Sequence, residues 1–367
     1  MAGMNVEGDD ARDYPQRVVE LLRPTPIKWL RVHPLPTRSL GEKGTNGLTY
    51  LDGIEYLCRN GYGIVIPLDV GYAQNVGTVP FKGLDGFVEE SYQFSFTAAK
   101  QIGEVARKNH AGLVFGVENE FDAKSWLLQS IPLFGWRGEF LTWAKLALDY
   151  DLKYRRLNNI LRGARDAEPG ATTMANVVAV DANPFVEQVK AEARRHSDLL
   201  RANSILVEDL TDNVLDWRTE LKYLKDHLDV DLVGLDTYAN YLLKYPVLGL
   251  ETGGQLSEAA ALTGKPVFNP EFGYSTYRSV LEKIVFGLLR RPSAATMQRQ
   301  YFRNTLDSIG QSQSRGTFPW VLMTHTDRSA SPEQEAYYGL FQIKGEKEPR
   351  KMPAYDYYAE WLRKKKK

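Results

Sequence analysis

The feature that most limits how this chain can fold is an alternation. Eight short apolar runs recur from one end to the other, separated by stretches with helical periodicity. The runs expected as strands are Ala2–Val6, Ile27–His33, Gly63–Asp69, the stretch opening at Leu113, Thr172–Val180, Asp231–Tyr238, Pro266–Phe272 and Thr317–His325. Most are rich in branched aliphatic residues and end on something polar. That pattern suits strands of a parallel sheet covered on both faces, where only the C-terminal tips reach solvent. Apolar spacing of three and four predicts helices over Pro15–Leu22, Tyr50–Asn60, Phe94–Asn109, Phe140 to about Ala167, Pro184–Leu200, Asn213–Leu228, Ser257–Thr263, Ala294–Ser308 and Tyr355–Arg363. Eight strand–helix units predict an α/β fold of the (β/α)8 (TIM) barrel type, a single domain with enlarged βα loops. A doubly wound open sheet shares the alternation. It would carry an early glycine-rich phosphate turn, and this sequence has none.

A chain of 367 residues, 43% hydrophobic and 25% charged, has enough apolar surface for one such barrel. The barrel is expected over residues 1–363, with the four lysines of 364–367 as a solvated basic tail. Formal net charge is zero, so no overall field draws the protein to nucleic acid or to a membrane surface. The single cysteine, Cys58, excludes an intrachain disulfide and reads as a small buried hydrophobe on a helix. Five histidines without metal-ligand spacing predict no zinc site, and no cofactor motif is present. The opening residues MAGMNVEGDD lack a basic-then-apolar leader, and no stretch approaches the length of a membrane span. The expectation is a cytoplasmic protein; a secreted one stripped of its signal would look the same. Oligomeric state has no reading in the sequence.

Two strand tips carry the chemistry. The run LVFGVENEF (Leu113–Phe121) ends in two carboxylates with an asparagine between them, and PVFNPEFGY (Pro266–Tyr274) ends in a glutamate, a glycine and aromatics. In a barrel, active residues sit at the C-terminal ends of strands. Glu120 on the fourth strand and Glu271 on the seventh then place two carboxylates around one substrate bond, the requirement for glycoside hydrolysis. Glu118 lies two residues before Glu120, on the same side of a regular strand. It is either a second candidate acid or a buried ion-pair partner. Strict alternation turns Asn119 away from Glu120, so if both face the substrate the backbone must leave regular β geometry there.

A fourth-strand glutamate preceded by asparagine, paired with a seventh-strand glutamate, resembles clan A of the glycoside hydrolases, which are retaining (β/α)8 enzymes. Three further matches support it: Arg31 in LRVH resembles the clan's second-strand arginine, Tyr238 after DLVGLDT its sixth-strand aromatic, and Trp320 in TFPWVLMTH its eighth-strand tryptophan. The terminal stretch from Tyr337 to Tyr358 is similar to the clan's end, where a strand and a basic turn lead into the last helix. VENEF is locally similar to the family 35 β-galactosidases, without a match elsewhere, so no family is assigned.

The resemblance implies a carbohydrate substrate and a set of roles. Glu120 would be the general acid and then the base, its pKa raised by a neighbouring carboxylate. Glu271 would be the nucleophile, kept ionised by Arg31 and oriented by Tyr238. Asn119 would bond the sugar 2-hydroxyl, and Trp320 would floor the sugar by stacking, with the Trp320–Val321 peptide bond expected cis. Trp126 and Trp136 in the loop after Glu120 would wall further subsites or simply pack that loop. His33, Asp69, Asp236 and His325 fall near predicted strand ends and are candidate hydroxyl ligands. Arg31 could equally tie strands together, and Tyr238 could be core. The rivals are a non-catalytic carbohydrate-binding barrel and a barrel enzyme of unrelated chemistry. For the second, no lysine sits at a clear strand tip to form a Schiff base.

Overall fold

The computed structural model describes residues 1–33, 40–68, 84–119, 149–179, 184–209, 216–238, 248–277, 287–288, 290, 292–325, 337–344 and 348–365. Eight parallel strands form one sheet in sequential order: β1 (Gly3–Val6), β2 (Trp29–Val32), β3 (Gly63–Pro67), β4 (Leu113–Gly116), β5 (Thr172–Ala179), β6 (Leu232–Tyr238), β7 (Val267–Gly273) and β8 (Thr317–Pro319). A parallel bridge between Ala2 and Thr317, with the Thr317 amide donating to the Met1 carbonyl at 3.1 Å, joins the last strand to the first. The sheet is a (β/α)8 barrel, as the alternation predicts.

The helices are α1 (Gly8–Asp13), α2 (Pro15–Leu22), α3 (Tyr50–Arg59), α4 (Leu84–Lys108), α5 (Tyr150–Ala167), α6 (Pro184–Arg195), α7 (Ser197–Ala202), α8 (Trp217–His227), α9 (Thr252–Thr263), α10 (Ala294–Gly310) and α11 (Pro353–Lys365). Local chemistry sets several of their ends. Thr49 and Asp52 form a reciprocal capping box at the start of α3. Asp149, Asp216 and Ser293 accept from the first free amides of α5, α8 and α10, each such cap being worth about 1 kcal/mol. Gly61 just beyond α3 (φ 83°) and Gly264 after α9 (φ 68°) take the left-handed conformation that stops each helix. None of the described helices is long and apolar enough to cross a membrane.

Two cores follow from strand alternation. Val65, Val114, Met174, Phe268 and Phe318, with Trp29 and Leu232 packed against them, form one small buried cluster drawn from β2 to β8. Residues of opposite parity, such as Ile64, Ile66, Phe115, Val177 and Val233, join the helices in the larger core. Cys58 lies in that larger core, where burial pushes its thiol up to about 12.

Several expectations need correcting. The predicted eighth strand is two pieces. β8 ends at Pro319, the Trp320–Val321 peptide is cis as expected, and Met323–His325 is a separate strand, β9, paired with β10 (Phe341–Ile343), which pairs in turn with β11 (Arg350–Lys351). α4 begins ten residues before the predicted start, and the α6 region breaks after Arg195 into two helices. α1, directly after β1, was not anticipated, because six residues show too little periodicity. Lys364 and Lys365 are not a free tail: they close the last turn of α11, where Lys364 pairs with Glu360 at 2.8 Å. Cations there oppose the negative helix end.

Candidate active site

The site is built at the C-terminal end of the barrel, where side chains from β1, β2, β4, β5, β6 and β7 meet. Two departures from regular strand geometry decide which of them do so. On β7, the register gains one residue against both neighbours, between Phe268 and Phe272 on the β6 side and between Asn269 and Phe272 on the β8 side. This is a β-bulge, and one extra residue reverses which face the following side chains occupy. Phe268 points into the barrel, so strict alternation would send Glu271 outward. The bulge returns it to the barrel axis. Pro270 sits in the bulge because a proline cannot donate to a sheet ladder. Asn269 supplies the bonds instead: its buried Nδ2 donates to Leu235 O (2.7 Å), Thr237 Oγ1 (3.1 Å) and Glu271 O (3.0 Å).

On β4, Glu118 has a left-handed backbone (φ 66°), a conformation uncommon for a residue with a Cβ. The turn carries the Glu118 carboxylate out to α5, where Arg156 grips both of its oxygens, one at 2.5 Å. Both side chains are almost wholly buried. Glu118 is therefore the buried ion-pair partner and does not share the axial side. The same turn brings Asn119 inward, resolving the conflict between alternation and the expected direction of that residue.

Arg31 is the hub. Fully buried on β2, it donates from Nη1 to Glu271 Oε1 at 2.5 Å and to Asn5 Oδ1 at 2.9 Å, and from Nη2 to Asn119 Oδ1 at 2.5 Å. Glu271 Oε2 accepts from the Tyr238 hydroxyl. Asn5 in turn donates to the carbonyls of Pro270 (2.8 Å), Phe318 (3.1 Å) and Pro319 (3.2 Å), bolting β1 to the tips of β7 and β8. Beneath Asn119, the Asn176 amide on β5 donates to Asn119 Oδ1 (3.0 Å) and to Asp236 Oδ2 (2.5 Å). Glu271 is thus a nearly buried carboxylate with a guanidinium on one oxygen and a phenol on the other, both donors.

Other predicted residues fall around this cluster. His33 stands at the end of β2 with its ring 6.2 Å from that of Trp320. Its Nδ1 is buried without a partner, and burial, with Arg31 beside it, holds the imidazole well below the usual histidine range. Trp320 is partly exposed, and Tyr238 meets Tyr338 edge-on at 6.0 Å. Asp236 is fully buried and faces Asn176. His325 stands apart on β9, bonded to Asp10 of α1 at 2.9 Å and stacked on Tyr14. Glu120, Asp69, Trp126 and Trp136 lie outside the described residues, as does the loop from 121 to 138. Among the described residues no group of three His, Cys, Asp or Glu side chains is placed to hold a metal ion.

No family model matches the chain, and no curated protein matches it in sequence. Solved structures do match. The β-glycosidase BGL167 aligns over 100% of this chain and 96% of its own, with a TM-score of 0.61 at 11% identity. A β-glucosidase from Thermotoga maritima in complex with galacto-hydroximolactam covers 97% of this chain and 87% of its own (TM-score 0.61, 14% identity). An AHE enzyme from Alicyclobacillus herbarius gives the same coverage at a TM-score of 0.62 and 12% identity. The likeness is one of fold. This chain shares the barrel of known β-glycosidases over its full length.

Three members of the cluster escape the sequence reading: Asn5, Asn176 and Asn269. Each is a lone asparagine at an inward or bulged position of an apolar strand, and an unaccompanied buried amide is itself the signal, since it must find partners. Pro270 inside a central strand likewise signals the bulge.

Proposed function

We propose that the protein is a retaining β-glycoside hydrolase of clan A type, working by double displacement with Glu271 as nucleophile and Glu120 as acid and base. The observation that carries this reading is the seating of Glu271. The bulge aims it along the barrel axis, and Arg31 and Tyr238 each hold one of its oxygens. A nucleophilic carboxylate needs this arrangement, in which both oxygens are oriented and a lone pair is directed at the reacting carbon.

In the first step Glu271 attacks the anomeric carbon, the bond to the leaving oxygen breaks, and Glu120 gives that oxygen its proton. In the second, Glu120 takes a proton from water, the water oxygen attacks the same carbon, and Glu271 departs as a carboxylate. Asn119, fixed by Arg31 and Asn176, is the partner of the sugar 2-hydroxyl. Trp320 supplies an apolar ring face to the sugar, with His33 beside it as a hydroxyl ligand. The substrate class is a β-linked glycoside, oligosaccharide or polysaccharide. The β-glucosidase of like fold, described in complex with a sugar lactam, supports a carbohydrate in the cleft.

The test is a panel of nitrophenyl β-glycosides and β-linked oligosaccharides, with the first-formed anomer read by NMR. Turnover with retention is expected, together with a carboxyl separation of about 5–5.5 Å. Glu271→Gln should abolish turnover, and azide should rescue Glu271→Gly and Glu120→Ala on activated substrates. Inversion, or full activity in Glu271→Gln, overturns the assignment. Calorimetric sugar binding without turnover moves the protein to the non-catalytic class.

A further inference from the structure

The geometry points to Asn176, held by Asp236, as a positioning residue that fixes which end of the Asn119 amide faces the substrate. It rests on the glycosidase reading and names a determinant of substrate choice that the sequence motifs do not contain.

Asp236 is fully buried on β6, and its Oδ2 accepts from Asn176 Nδ2 at 2.5 Å. A carboxylate only accepts, so it dictates that Asn176 turns its NH2 group this way. The same NH2 group donates to Asn119 Oδ1 at 3.0 Å, and the Arg31 guanidinium, which has no acceptor, donates to that same oxygen at 2.5 Å. Two donors on Oδ1 leave one orientation for Asn119. Its carbonyl oxygen turns inward, and its NH2 group is the end left to the partly open side of the residue, where it donates to none of the described residues.

A purely structural role fits Asn176 poorly. Its own Oδ1 is buried without a partner, an arrangement that destabilises the fold. Rotating the amide to relieve this would place Oδ1 against two acceptors, Asp236 and Asn119. An apolar side chain would remove that unpaired oxygen, at the loss of the donor that Asn176 gives to Asp236 Oδ2 and Asn119 Oδ1. The price of that oxygen is explained if Asn176 is kept to present Asn119 as a donor. The site then selects a sugar whose C2 substituent accepts a hydrogen bond, and discriminates against 2-deoxy glycosides.

The experiment compares kcat/KM for a nitrophenyl β-glycoside and its 2-deoxy counterpart in wild type, Asn176→Ala, Asn119→Ala and the double variant, with Asp236→Asn as a second, size-conserving probe. Wild type should prefer the 2-hydroxy substrate by about 100-fold or more. Asn176→Ala and Asp236→Asn should each shrink that preference by about tenfold, mainly through kcat, and the double variant should be no worse than Asn119→Ala alone. A folded Asn176→Ala or Asp236→Asn that loses the same factor on both substrates overturns the proposal. So does strict additivity in the double variant. Wild type that turns over no glycoside in the panel overturns the glycosidase reading first and this inference with it, so the two failures are distinguishable.

Discussion

Replacing Glu118 with alanine tests whether the two neighbouring glutamates of the VENEF motif have separate jobs. The side chains of Glu118 and Arg156 are 3% and 2% exposed and joined by two hydrogen bonds. Removing one partner of a buried, hydrogen-bonded ion pair costs about 3–5 kcal/mol, because the other charge stays in a low-dielectric place. At about 2.1 cal/mol/K per residue, the unfolding entropy of a chain this long is about 0.8 kcal/mol/K, so the loss corresponds to a fall of about 4–6 °C in Tm. The double variant Glu118→Leu/Arg156→Leu removes both charges and should recover most of that fall, since an apolar pair of similar volume is often neutral or better. Scanning calorimetry of the wild type, Glu118→Leu, Arg156→Leu and the double closes the cycle. An unchanged Tm in Glu118→Ala refutes the argument, as does a double variant that loses the sum of the singles. Glu271→Gln leaves the buried Arg31 guanidinium facing a neutral amide, so it should lose turnover and stability together, whereas Glu118→Ala acts on stability through a pair that faces α5.

Tyr238→Phe removes the hydroxyl donor from Glu271 Oε2 and keeps the ring against Tyr338. A hydrogen bond to a charged group is worth about 1.5–3 kcal/mol, so kcat should fall about 10- to 150-fold with KM little changed; steady-state kinetics showing less than a twofold loss would exclude the orienting role. His33 has a folded pKa well below the histidine value of 6.5. Below pH 6.5 the unfolded chain therefore binds the extra proton, and stability falls as the pH drops, by at most about 1.4 kcal/mol per pH unit from this one group. Tm measured from pH 7.5 to 5 should decline less steeply in His33→Phe than in wild type; parallel curves would contradict the enclosed, neutral imidazole.

The sequence by itself determined the barrel. Eight apolar runs with helical stretches between them leave few other ways to bury both faces of every strand, and most described strands lie within two residues of where the runs place them. It also located the tips that bear Arg31, Asn119, Tyr238 and Glu271. Which way those side chains point was decided by the tertiary structure. A period of two assigns faces only while the strand stays regular, and it would have sent Glu118 inward and Glu271 outward. The left-handed backbone at Glu118 and the extra residue around Pro270 invert both assignments. The same holds for Asn5, Asn176 and Arg156. Their partners stand 26 to 314 residues away along the chain, and only closure of the barrel brings them within hydrogen-bonding distance. Local pattern is set by each residue's neighbours in sequence, whereas the direction of a buried polar group is set by whichever partner satisfies it, and that partner exists only after folding.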